Sequence, residues 1–186
     1  MCRFHKYSRL TLLLTICFVI ALFVTKKSKQ LEETFSKEVV IPLDSFLILN
    51  SFVHEDTCHY QYHIVSFYDS TECYSCLMRH FSEMNERIME YKRNYSLDYI
   101  VIMETSSERL TQRRKEYLRS QFESPIYIDT NTIFRKCNPL FSQDYDRQLH
   151  NFVINKDNKI VMIGDPLKNY KLEEKLRKLI DGRSSY

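Results

Sequence analysis

Between His63 and Tyr91 a short apolar run gives way to a turn, a pair of cysteines and a long amphipathic stripe, an order that leaves few folds open. Ile64, Val65, Phe67 and Tyr68 are β-branched or aromatic and end at Asp69-Ser70-Thr71. Such a run is too short for a core helix and reads as a buried strand. Leu77, Phe81, Met84, Ile88 and Tyr91 then recur at helical spacing, with Arg79, Ser82, Glu83, Glu86, Arg87 and Glu90 on the other side. Cys73 and Cys76 therefore stand where a strand hands the chain to a helix.

That position bears on their chemistry. The first turn of a helix has backbone N–H groups without intrahelical partners and carries the positive end of the macrodipole, so a thiol placed there favours its thiolate. Cys73 is the expected nucleophile, and Cys76, one turn further in and expected to be buried, the resolving thiol. Two other readings use the same residues. The pair can be a structural disulfide, or Cys73, Cys76 and His80 can bind a metal with Cys58 or Cys137, although a single C-x-x-C signals a closed zinc site weakly. His80 alone reads as a partly exposed helix residue. Cys58 and Cys137 read as free thiols, as partners of each other, or as a second redox relay, and Cys2 and Cys17 belong to the apolar N-terminal stretch.

The remaining chain alternates between the two periodicities. Asp98 to Met103 is a continuous apolar strand, and Thr105-Ser-Ser-Glu108 is a capping box that predicts a helix from there to about Gln121. Pro125 to Ile128 is a further strand, followed by a short helical piece from Phe134 to Cys137. Phe152 to Ile163 reads as a hairpin around Lys156-Asp-Asn-Lys159, and Leu172, Leu176, Leu179 and Ile180 give a last helix its buried stripe. Ahead of the central motif, Val39 to Leu43 and Ser45 to Asn50 predict an added strand or hairpin, with Pro42 confined to an edge. The whole predicts an α/β domain with a central mixed sheet and helices on both faces.

In this order of elements the chain, over roughly residues 40 to 181, resembles the thioredoxin superfamily, and in particular the membrane-anchored TlpA/ResA-like thiol-disulfide oxidoreductases of bacterial envelopes. The resemblance rests on strand-C-x-x-C-helix and on the later hairpin, and it implies that Cys73 and Cys76 are the redox pair. It also implies protein disulfide or dithiol substrates, an upstream thiol donor and no bound cofactor or metal. Three positions depart from the family pattern. Glu72 stands where the family has Trp, and its charge opposes thiolate formation if it lies close. Phe67 stands where thioredoxin has a buried acid. His150, after Leu149, stands where the family has a cis-proline; a trans bond is expected, since a non-proline cis bond costs about 2.5 to 4 kcal/mol, and two readings stay open, an imidazole that approaches the thiols or a residue that merely begins a strand. Glu72, His80 and His150 are thus accessory candidates beside the pair.

Composition excludes other classes. The 27 basic and 24 acidic residues leave a formal charge of +3, too small and too evenly spread to argue for nucleic acid. Two glycines argue against a Gly-rich phosphate loop. Asp69-Ser-Thr-Glu-Cys73 does not supply the Thr-x-x-Cys pocket of a peroxidase. Leu10 to Thr25 runs without a charge behind Arg3, Lys6 and Arg9. It reads as a signal anchor or signal peptide over residues 1–25, followed by a tether at 26–38 and the domain at 39–186. The basic residues place the N-terminus in the cytoplasm and the domain in the cell envelope, facing the periplasm or exterior. The expected protein is a membrane-tethered thiol-disulfide oxidoreductase; the alternative is a non-catalytic binding or sensor module of the same fold with a structural disulfide.

Overall fold

The computed structural model describes residues 15–22, 25, 34–35, 37–50, 60–71, 74–95, 97–122, 124–141 and 147–182. They fall into two compact units, Met1–Lys37 and Glu38–Tyr186. In the first, residues 15–22 are helical and exposed, and the Thr25 hydroxyl donates to the carbonyls of Ala21 and Leu22 at 3.0 Å each. Among the described residues no helix is long and apolar enough to cross a membrane. The uncharged stretch from Leu10 to Thr25 is described only at 15–22 and 25.

The second unit is built on a sheet of six strands: β1 (Leu47–Leu49), β2 (Tyr62–Tyr68), β3 (Leu97–Glu104), β4 (Ile126–Asp129), β5 (Asn151–Asn155) and β6 (Ile160–Ile163). Their order is β1-β4-β3-β2-β5-β6. The pairs β2–β3 and β3–β4 are parallel; β1–β4, β2–β5 and β5–β6 are antiparallel. Parallel neighbours need a crossover, and two helices supply it: α1 (Tyr74–Asn94) between β2 and β3, and α2 (Gln112–Gln121) between β3 and β4. Two more helices, α3 (Ile133–Cys137) and α4 (Tyr170–Ile180), follow among the described residues.

Strand alternation sends β2 side chains to opposite faces. On one face Tyr68 packs edge-on against Phe81 of α1, and the predicted α1 stripe of Leu77, Phe81, Met84, Ile88 and Tyr91 is buried with Leu118 and Leu176. On the other, Phe67 packs at a tilt against Phe134 of α3, and the rings continue through Phe141 to Phe152, which stack. Helices thus cover both faces.

Two boundaries differ from expectation. The first apolar run ahead of the motif forms no strand beyond a bridge from Glu38 to Lys159; only Leu47–Leu49 pairs, as an edge strand after a 3-10 turn at Leu43–Ser45. And α2 starts six residues later than Thr105-Ser-Ser-Glu108 suggests. The N–H groups of Arg109 and Leu110 are taken by the Ser106 carbonyl in a turn, Leu110 is buried, and the Thr111 side chain caps the helix through the Arg114 N–H.

Candidate active site

The C-terminal ends of parallel β2 and β3 form the rim of the site, the usual place for chemistry in a sheet of this kind. At the end of β2, Asp69 Oδ1 accepts from the Thr71 N–H at 2.7 Å and from its hydroxyl, closing the turn that leads into α1. Its other oxygen lies 3.4 Å from Arg135, whose Nε lies 2.9 Å from Glu104 at the end of β3. Arg135 also sits over the Phe67 ring, 5.3 Å from its centroid. One guanidinium on α3 therefore ties together the ends of the two central strands. Burial acts to raise the Asp69 carboxyl, but the Thr71 hydrogen bonds, with His150 and Arg135, hold it below its ordinary range. At Glu104 burial outweighs Arg135 and pushes the carboxyl up.

The expectations for Glu72, Cys73 and Cys58 lie outside the described residues. The described part of α1 starts at Tyr74, the residue after Cys73 in the sequence. Cys76 lies in the first turn and is exposed, not buried as expected. The buried stripe begins at Leu77, and a helical residue one position earlier points about 100° away from it. Cys137 is an exposed free thiol at the end of α3, and Cys17 is exposed and free in the first unit. His150 ends a 3-10 turn, Arg147–His150, immediately before β5; no peptide bond among the described residues is cis, so Leu149-His150 is trans. Its ring meets Phe67 edge-on at 5.5 Å, which places it at the same rim as Asp69.

His80 departs furthest from the sequence reading: it is 6% exposed, its Nε2 3.7 Å from Asp165 Oδ2. That gap is too long for a hydrogen bond. Both imidazole nitrogens, Asp165 Oδ2 and the Tyr68 phenol oxygen are buried without hydrogen bonds. Asp165 is brought there by Gly164, whose φ of +103° suits glycine and where a Cβ would stand 2.7 Å from Leu172 Cδ1. Beside this group Ser66 Oγ donates to Asn151 Oδ1 at 2.7 Å and lies 2.7 Å from the Tyr99 hydroxyl. Burial pushes the Tyr68 phenol well up and raises Asp165, and it holds His80 down at about 4.

A depressed histidine stabilises the fold above its unfolded pKa of 6.5, and that stability is lost as pH falls towards 4, where the unfolded chain binds a proton that the native state refuses. The shift corresponds to about 2 kcal/mol lost between pH 7 and 5. His63, also lowered by burial, acts in the same direction, whereas raised Asp165 contributes stability at low pH that fades as pH rises. Urea unfolding of wild type should show that loss, and His80→Leu, which removes two orphaned buried atoms, should flatten the profile without lowering stability at pH 7. An unchanged pH profile in His80→Leu would remove His80 from this account.

Sequence reasoning did not find Arg135, Glu104, Asp165 or Tyr99, whose partners lie dozens of residues away. His80 did carry a signal: it stands three residues after Leu77 and four before Met84, on the buried stripe itself. Among the described residues no group of three His, Cys, Asp or Glu side chains is placed to hold a metal.

No protein-family model matches the chain, and no curated protein matches it significantly. Solved structures do. A thioredoxin-like protein in its oxidised form is 17% identical, covers 81% of this chain and 99% of its own length, and superposes with a TM-score of 0.56. The thioredoxin domain of a thiol-disulfide oxidoreductase from Bacteroides vulgatus is 10% identical, covering 78% of this chain and 97% of that one, with a TM-score of 0.53. A candidate thiol:disulfide interchange protein DsbE from Chlorobium tepidum is 12% identical, covering 78% and 97%, with a TM-score of 0.51. At these identities the likeness is one of fold, and the fold of the second unit is thioredoxin-like.

Proposed function

We propose that this chain is a thiol-disulfide oxidoreductase acting through Cys73 and Cys76. What supports the reading is that Cys76 is exposed in the first described turn of α1 of a thioredoxin-like fold, with Cys73 next in sequence before Tyr74. In the reductase direction the Cys73 thiolate attacks a substrate disulfide, forming a mixed disulfide and expelling one substrate thiolate. Cys76 then attacks the Cys73 sulfur, releasing the second substrate thiol and leaving Cys73–Cys76 oxidised; the two electrons have passed to the substrate. An upstream thiol donor restores the dithiol. Helix N-terminal N–H groups favour the first thiolate, and protein disulfides or dithiols are the substrates.

The uncharged run from Leu10 to Thr25 supports a signal anchor at 1–25 that, through a tether at 26–38, holds the domain at 39–186 in the cell envelope, its face outward. Membrane sedimentation that survives carbonate extraction is expected of the full chain, and release as a soluble species beginning after Val24 would argue for a cleaved signal instead.

Iodoacetamide at pH 6 to 7 should label Cys73 before Cys58, Cys76 or Cys137 in the reduced protein. Equal labelling, or a Cys73 pKa at or above the ordinary ~8.5, would favour the second reading, a binding module with a structural disulfide. The trans bond before His150, where the family pattern has a cis-proline, is the observation that favours that reading.

A further inference from the structure

Opposite charges balance over the rest of the chain, and one segment departs from that balance. Residues 108–121 carry Arg109, Arg113, Arg114, Lys115 and Arg119 against Glu108 and Glu116, so five minus two gives +3 in this segment alone, equal to the net charge of the whole chain. The segment lies beside the redox turn: Arg109 Nη1 donates to the carbonyl of Ser70 at 2.9 Å, and Arg114 Nη1 donates to the carbonyl of Arg109 at 2.7 Å. Between the two strands of chain opens a cavity of about 240 Å³ with Tyr68, Leu77 and Met103 on its apolar side and Arg109 and Arg114 on its rim. Its two carboxylates, Asp69 and Glu104, both already face Arg135, and Arg109 bonds to the neutral Ser70 carbonyl. A second, shallower depression of about 670 Å³ on α2 shares Arg114 and adds Arg113 and the half-exposed Tyr117. Glu116, the one carboxylate of α2, accepts from Gln112 at 2.9 Å.

From this placement we infer that the α2 face and the adjoining cavity form the docking surface for the disulfide-bearing polypeptide, and that it selects acidic segments carrying an apolar side chain. The inference rests on the redox reading and names its substrate class. The cavity takes the apolar side chain next to the substrate cystine, and the arginines meet carboxylates along the flanking chain. Complementary charge of this kind acts mainly on capture and orientation and weakens as salt screens it.

The test uses the reduced full chain in mild detergent, with two model peptides containing the same cystine and one adjacent Leu but flanked by three Glu or by three Lys, and with the neutral hydroxyethyl disulfide as a third substrate. The expected kcat/KM is about tenfold higher for the Glu peptide than for the Lys peptide at low ionic strength, and the ratio falls towards one in high salt. Arg113→Glu/Arg119→Glu, which takes the segment from +3 to −1, should bring the ratio to one or below, while Lys171→Glu/Lys175→Glu on α4, which changes charge equally, should leave it intact. Equal rates for both peptides, or a preference that survives the α2 reversal, overturn the docking surface while turnover of hydroxyethyl disulfide keeps the redox reading standing. No turnover of any of the three overturns both.

Discussion

Cys73→Ser should lower turnover of a disulfide substrate at least about a thousandfold, because a serine hydroxyl at neutral pH cannot supply the thiolate that attacks sulfur. The companion variant separates the roles. Cys76→Ser keeps the attacking thiol but has nothing to resolve the product, so a one-to-one mixed disulfide with substrate should accumulate on Cys73 and be released by added dithiothreitol. The exposure of Cys76 sharpens this comparison, since burial does not protect it from attacking substrate itself. On the proposed division of roles Cys76 is the resolving thiol, so in Cys73→Ser adducts on Cys76 should form more slowly than adducts on Cys73 in Cys76→Ser. Faster adducts on Cys76 would reverse the assignment, and full turnover by Cys73→Ser would remove Cys73 from the chemistry.

The largest effect on stability is expected from Asp129→Ala. This carboxylate is fully buried at the end of β4 and accepts from the N–H groups of Asn131 at 3.1 Å, Ile133 at 3.0 Å and Phe134 at 2.8 Å. Those donors open α3, a helix of only five residues whose own hydrogen bonds are too few to hold it. Removing the acceptor leaves three backbone donors unsatisfied, at a cost of about 3 to 5 kcal/mol. For a domain of this size that lowers Tm by roughly 10 °C. The damage should spread to the redox rim, because α3 carries Arg135, which holds Asp69 and Glu104, and Phe134, which packs on Phe67. Denaturant titration of Asp129→Ala and Asp129→Asn checks this: Asn keeps one acceptor oxygen and should lose less. A midpoint shift worth under about 1 kcal/mol in the alanine variant would mean that α3 forms without this cap.

The elements that carry strong periodicity could be read in advance. The α1 stripe from Leu77 to Tyr91, the apolar strand at Asp98 to Met103, the hairpin around Lys156 to Lys159 and the Leu172 to Ile180 stripe all fall within the observed elements. Local hydrogen-bond competition set the limit elsewhere: a Thr-x-x-Glu pattern at Thr105 to Glu108 lost to the Ser106 turn and the Thr111 cap. At the site, sequence adjacency put Cys76 in the first turn of a helix but did not give its surroundings, and Cys73 lies outside the described residues. Arg135 meets Asp69 across 66 positions and Asp165 meets His80 across 85, distances over which only the folded sheet brings residues together. The exposure of Cys76 was illegible for a related reason, since the C-x-x-C spacing alone fixes neither the first helical residue nor what covers its turn.

The most direct measurement is the redox equilibrium of the pair in the full-length protein, poised in glutathione buffers and read by alkylation and mass mapping. A single two-electron transition is expected, about 30 mV per tenfold change in ratio, with Cys73 and Cys76 oxidised together and a midpoint above roughly −300 mV, where cellular thiol donors exchange with it. A Cys73–Cys76 disulfide that stays closed down to lower potentials, or cysteines that never link to each other, would contradict the account.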